Sequence, residues 1–279
     1  MLWRGRREST NVDDRRGMSG GGLAVGGGII GVIALLINFF LGGGDASQLP
    51  QQLPGEGSPE ISADAQAAED TLAQMVKVTF AYTEDVWNKL LGDNDYIEPR
   101  LGLFTNSTQS GCGSASRASG PFYCPADQKV YIDLSFYQEL RQRFNVNGDF
   151  AMAYVIAHEV GHHIQYLMGT TEKMARARQE VSETEYNKLS VKLELQADFL
   201  AGVWAHHINK MHKVLESGDI EEALNAANAI GDDNLQKQSQ GHVVPDAFTH
   251  GTSEQRMYWF KKGFQTGDIR QGDTFSAID

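Results

Sequence analysis

Between Asp149 and Gly169 the chain carries little charge, yet it holds the run His158-Glu159-Val160-Gly161-His162-His163. No other feature limits the fold as much. Asp149 reads as the opening of a helix and Gly169 as its stop. Residues four apart share a helix face, so His158 and His162 aim two imidazoles at one point. With Glu159 between them they form the H-E-x-x-H pattern, which suits zinc with the glutamate as general base. Glu159 sits one residue round the helix, beside the ligands, where it can take a proton from an activated water. His163 points elsewhere and is expected to be an ordinary, satisfied histidine. Gly161 costs about 1 kcal/mol relative to Ala inside a helix, and close approach of another helix is the expected reason.

Five residues alone are weak, because the bare pattern arises by chance in on the order of one chain in a hundred. A third ligand is needed. The stretch "LELQADFLAGVWAHH" sets Glu194 and Asp198 four apart in apolar surroundings. Two unpaired acids are costly to bury, and a cation opposite relieves that cost. Glu194 is therefore assigned as third ligand to one zinc ion. Asp198, one turn on, is assigned to accept from the free nitrogen of a ligand histidine and fix its tautomer. The alternative is an ion pair with Lys192 or Arg178 at the surface. His206 and His207 fall about 120° and 140° from Glu194 around a helix, and they are expected to face solvent.

The N-terminus reads as a membrane anchor. Arg4, Arg6, Arg7, Arg15 and Arg16 precede "LAVGGGIIGVIALLINFFL", Leu23 to Leu41, which has no charge. As a helix those residues span roughly 28 Å, close to the hydrocarbon thickness of a bilayer. The arginines place residues 1–22 in the cytoplasm and the rest beyond the membrane. A cleaved signal peptide is the competing reading. Residues 42–61, with Pro50, Pro54 and Pro59, read as a flexible linker. Outside the cytoplasm Cys112 and Cys124 are expected to pair as a disulfide, with two free thiols as the alternative.

Residues 62–279 read as one domain, α+β and mainly helical with a small sheet. A helix is expected from Ser62 to about Leu91, and strands around "PRLGLFT" and "QKVYIDLS". Ser135 with Gln138, and Thr252 with Gln255, fit capping boxes. A long helical stretch runs from about Glu180 to His212, and shorter helices lie near 219–230 and 253–265. A net charge of −12, from 36 acids against 24 bases, argues against a nucleic-acid partner. No feature supports a homo-oligomer.

The stretches "HEVGHHIQ", "ELQADFLAGVWAHH" and "HGTSEQR", with the N-terminal "WRGRRES" and a single anchor, resemble the bacterial "putative neutral zinc metallopeptidase" family. The resemblance covers nearly the whole chain and implies a zincin-like fold of the gluzincin kind. It implies His158, His162 and Glu194 as metal ligands, Glu159 as the catalytic glutamate and Asp198 as the acid of E-x-x-A-D. The resemblance supplies no substrate; the first hypothesis for function is a membrane-anchored zinc endopeptidase acting on a peptide or protein substrate. His250 is the first choice for stabilising the oxyanion, ahead of Arg256 and Tyr258, and the strand "KVYIDL" is a candidate edge for an extended substrate. A zinc-binding scaffold with a structural metal, and a hydrolase of non-peptide amides, are the alternatives.

Overall fold

The computed structural model describes residues 1–16, 63–92 and 96–277. Strand β1 (Val12–Asp14) is followed by helix α1 (Ala63–Leu91), β2 (Arg100–Phe104), β3 (Ser107–Ser110), β4 (Gly113–Ser116), β5 (Phe122–Cys124) and β6 (Lys129–Asp133). The main sheet runs β1-β2-β6-β5, with β1, β2 and β6 parallel and β5 antiparallel at one edge. Strands β2 and β6 are buried on both faces after their first residue, which explains their nearly continuous apolar runs "LGLF" and "VYI". Strands β3 and β4 form a separate hairpin. Cys112, in its turn, is disulfide-bonded to Cys124 at the end of β5.

Helices α2 (Ser135–Arg143), α3 (Asp149–Leu167), α4 (Thr170–Glu180), α5 (Glu183–His212), α6 (Asp219–Ala229), α7 (Asp232–Gln240), α8 (Ser253–Thr266) and α9 (Thr274–Ala277) follow. The sequence expects α3 at this place, and Gly169 beyond its end takes the left-handed conformation with φ 74°. Thr252 and Gln255 form their capping box at α8. Ser135 and Gln138 do not form theirs. The Asp133 carboxylate accepts from the Ser135 backbone at 2.9 Å instead, so the acid two residues earlier does the capping. The expected stretch from Glu180 is also cut: α4 ends at Glu180, and Ser182 caps α5 through a box with Glu185.

The expected membrane helix requires correction. Among the described residues no helix is long and apolar enough to cross a membrane. The expected span, 23–41, and the linker, 42–61, lie outside the described residues. The expected topology also fails on contact. Residues 1–22 were to lie across a bilayer from the domain, yet β1 pairs with Leu101–Leu103 of β2 inside its sheet. Trp3 is buried and donates to Asp149 at 2.7 Å. The arginines that suggested a cytoplasmic tail have a local use: Arg7 pairs with Glu84 and Asp85, Arg15 with Asp13, and Arg16 with Asp14 and Asp70. Charge complementarity with the domain thus imitates the positive flank of an anchor.

Helix α3 lies at the centre, packed against α1, α5 and α6 and touching β5 and β6. It is apolar almost all round, as a core helix must be. Two glycine contacts set how closely its neighbours come. A Cβ on Gly161 would lie 3.1 Å from the Ala197 carbonyl oxygen and 3.2 Å from its Cα, so α3 and α5 cross nearly backbone to backbone. Helices α5 and α8 meet still more closely: a Cβ on Gly263 would fall 2.1 Å from the Phe199 carbonyl oxygen. No side chain can yield there, because the obstacle is backbone. Gly263→Ala is accordingly expected to lower unfolding free energy by at least ~1–3 kcal/mol; denaturant melts as stable as the parent would contradict this crossing.

Candidate metal centre

Helix periodicity on α3 and α5 supplies the site. His158 and His162 are one turn apart on α3, and Glu194 and Asp198 are one turn apart on α5. The close crossing at Gly161 and Ala197 brings the two pairs face to face. His158 Nε2 lies 3.1 Å from Glu194 Oε2, and His162 Nε2 lies 3.4 Å from Glu194 Oε1. One ligand atom from each of His158, His162 and Glu194 lies within 4.8 Å of the other two.

The other nitrogen of each imidazole is already committed. His158 Nδ1 faces Asp198 Oδ1 at 2.8 Å, and His162 Nδ1 faces Gln165 Oε1 at 2.8 Å. Gln165 donates through Nε2 to Leu193 O and Gln196 Oε1, so its oxygen is the acceptor. Both imidazoles therefore donate from Nδ1 and turn the lone pair of Nε2 toward Glu194 when neutral. That tautomer is the one a metal ligand needs. Two imidazole nitrogens and a carboxylate oxygen fit zinc, and three protein ligands are the number of a catalytic site rather than a structural one.

Asp198 is fully buried and held by more than His158. Arg256 donates to it through Nε at 2.8 Å and Nη2 at 3.0 Å, and the Tyr154 phenol donates at 2.5 Å. Burial pushes the Asp198 carboxyl up, but Arg256 and then His158 outweigh it and hold the pKa at about 2. Arg256, named earlier as an oxyanion donor, is thus committed to Asp198 and to the Ile230 carbonyl. Tyr258, the other candidate, is 58% exposed on the outer side of α8.

Glu159 is buried, and its Oε1 has no hydrogen-bond partner among the described residues. Burial raises its pKa, against the pull of the His162 and His158 imidazoles. It lines a cavity of about 30 Å³ with His158, His250 and Arg256, walled by Phe136, Phe144, Val155, Ile230 and Leu235. His250 is also buried, and its Nε2 is unpartnered. Its loop is held by Asp232, whose Oδ2 accepts from the backbone N–H groups of Thr249, His250 and Gly251 at 2.8, 2.7 and 3.0 Å. Sequence reasoning missed Asp232, Tyr154 and Gln165. The last two had a signal: Tyr154, His158, His162 and Gln165 recur at four, four and three residues, one polar stripe on an apolar helix.

The remaining histidines lie off this cluster. His163 bonds Tyr123 and Ile97, and burial lowers its pKa. His206 and His207 are half-buried rather than solvent-facing, and donate to the Phe264 and Gly267 carbonyls at the end of α8.

The electrostatics give two expectations. Burial lowers the His158 pKa, but Asp198 and Glu194 outweigh it and push it up to about 10. His162 is raised too, since Glu194 outweighs its burial. Ligand imidazoles bind metal only when neutral, so protons and zinc compete. Zinc affinity is expected to fall as pH drops below about 10, by roughly tenfold per unit for each proton displaced. Competition titrations against a chelator between neutrality and about pH 9 measure this; a flat profile would remove proton competition. Separately, Arg256→Met strands the Asp198 carboxylate and should cost about 3–5 kcal/mol of stability. A loss below about 1 kcal/mol in denaturant melts would show that Arg256 is dispensable to the pocket.

The chain is 48% identical over 285 residues to "Uncharacterized protein YpfJ" of Escherichia coli K12, covering 99% of each chain. It is 42% identical over 204 residues to "Uncharacterized protein Rv2575" of Mycobacterium tuberculosis H37Rv, covering 70% of this chain and 67% of that one. No solved structure matches it. A family model matches residues 1–275, and the chain belongs to the family described as "Putative neutral zinc metallopeptidase".

Proposed function

We propose that the protein is a zinc-dependent endopeptidase with one metal ion held by His158, His162 and Glu194. The observation that carries this reading is the meeting of those three ligand atoms beside a buried carboxylate, Glu159, with an unpartnered oxygen. When bound, zinc polarises a scissile carbonyl and makes the attacking water more acidic.

Glu159 takes the proton from that water at its carboxylate and returns it to the leaving amine. Its burial favours this, because a raised pKa brings a carboxylate nearer the working pH of a general base. Asp198 holds His158, and Gln165 holds His162, so neither imidazole turns as charge develops. His250 lines the same small cavity, and its Nε2, which has no partner among the described residues, is assigned to donate to the developing oxyanion. The apolar walls of the cavity keep bulk water from Glu159.

An extended substrate needs a strand edge. The strand "KVYIDL" does not offer one, because β6 lies between β2 and β5. The edge belongs to β5, whose Tyr123 backbone N–H acts on Glu159. We assign β5 to hold peptide substrate, which favours a peptide over a smaller amide. The scaffold reading loses ground to the three-ligand count.

Glu159→Gln tests the role of the base without removing a ligand. The variant is expected to keep one zinc per chain and lose about 10²–10⁴-fold in kcat, measured on a quenched fluorescent peptide library with and without chelator. A fully active variant would take Glu159 out of the mechanism.

A further inference from the structure

Helix α3 carries two pairs of chemistry-bearing residues, each spaced by four. His158 and His162 face α5. Glu159 and His163 lie one step round and face β5. His163 is fully buried, and both its ring nitrogens are engaged. Nδ1 lies 2.9 Å from the Tyr123 hydroxyl, and Nε2 lies 2.6 Å from the Ile97 carbonyl oxygen. A carbonyl only accepts, so Nε2 donates to Ile97 and Nδ1 accepts from Tyr123. Neither nitrogen has a lone pair left for a metal. Tyr123 therefore meets α3 through its hydroxyl, which bonds His163, and its backbone N–H lowers the pKa of Glu159, one turn earlier on the helix. The ring of His163 also packs edge-on against Tyr123 and Tyr96 and stacks on Tyr166.

We propose that His163 is a positioning residue that fixes edge strand β5 against α3, so that the outer backbone of the strand keeps one height beside Glu159. The strand is short, three residues, and its ladder to β6 binds only one side of it. The bond that Tyr123 donates to His163 clamps the middle residue, while the disulfide at Cys124 ties its end. Adjacent residues of one helix then divide the work: His162 points to the metal cluster and His163 holds the strand. The consequence for substrate rests on the zinc-peptidase reading above; the clamp on the strand does not.

The test uses the full chain loaded with zinc, and two variants. Tyr123→Phe keeps the ring and deletes the hydroxyl; His163→Leu deletes both bonds. Each is expected to speed hydrogen exchange across β5 by roughly 3–10-fold, the effect of one lost hydrogen bond. Each should keep one zinc per chain. On a quenched fluorescent peptide, KM should rise by a similar factor while kcat stays within about threefold. The double variant should be no worse than His163→Leu alone, since His163→Leu already removes the bond that Tyr123→Phe deletes. Unchanged β5 exchange in Tyr123→Phe overturns the proposal, as does loss of zinc with β5 exchange unchanged, which would mean that His163 acts through His162. If the parent protein cleaves no peptide, the peptidase reading fails by itself and the exchange rates alone uphold or overturn the clamp.

Discussion

The carboxylate of Asp198 is the interaction on which the site depends. It stands on α5, takes two bonds from Arg256 of α8, and takes one each from Tyr154 and His158 of α3. Three helices are therefore registered on one buried charge. Such a charge is costly to bury unless opposite charge and hydrogen bonds compensate it, and here the guanidinium supplies both. The arrangement fixes the ring of His158 before any cation arrives, which reduces the ordering that binding requires. The close crossing at Gly161 brings Glu194 to the same point.

Much of this centre was legible because helix periodicity converts spacing into direction. His158, His162, Glu194 and Asp198 each stand out as polar groups in apolar helices. The partners that finish the site were harder to read. Arg256 is remote in sequence, and its guanidinium suits an oxyanion as well as a carboxylate. Asp232 acts through backbone N–H groups 17 to 19 positions later, and backbone groups leave no trace in residue identity. Gln165 was visible in the stripe of α3 but carries no charge to mark it.

The N-terminus shows how one signal serves two structures. Arginines before an apolar run read as a topogenic flank. Here Arg7 pairs with Glu84 and Asp85 and Arg16 with Asp70 of the domain, while Arg15 pairs with Asp13 beside it, and β1 extends the sheet. Pairing of a three-residue strand such as "VDD" leaves almost no alternation to detect, so its place in the sheet was invisible. The edge strand β5, "FYC", was missed for the same reason, and with it the edge nearest to Glu159.

X-ray absorption at the zinc edge of the purified full chain, compared with Glu194→Ala, tests the centre most directly. The parent should show one zinc with imidazole nitrogens and carboxylate oxygen at about 2.0–2.2 Å and no sulfur, and Glu194→Ala should lose the oxygen ligand or the metal. A sulfur shell, or an identical spectrum in Glu194→Ala, would contradict a cation shared by α3 and α5.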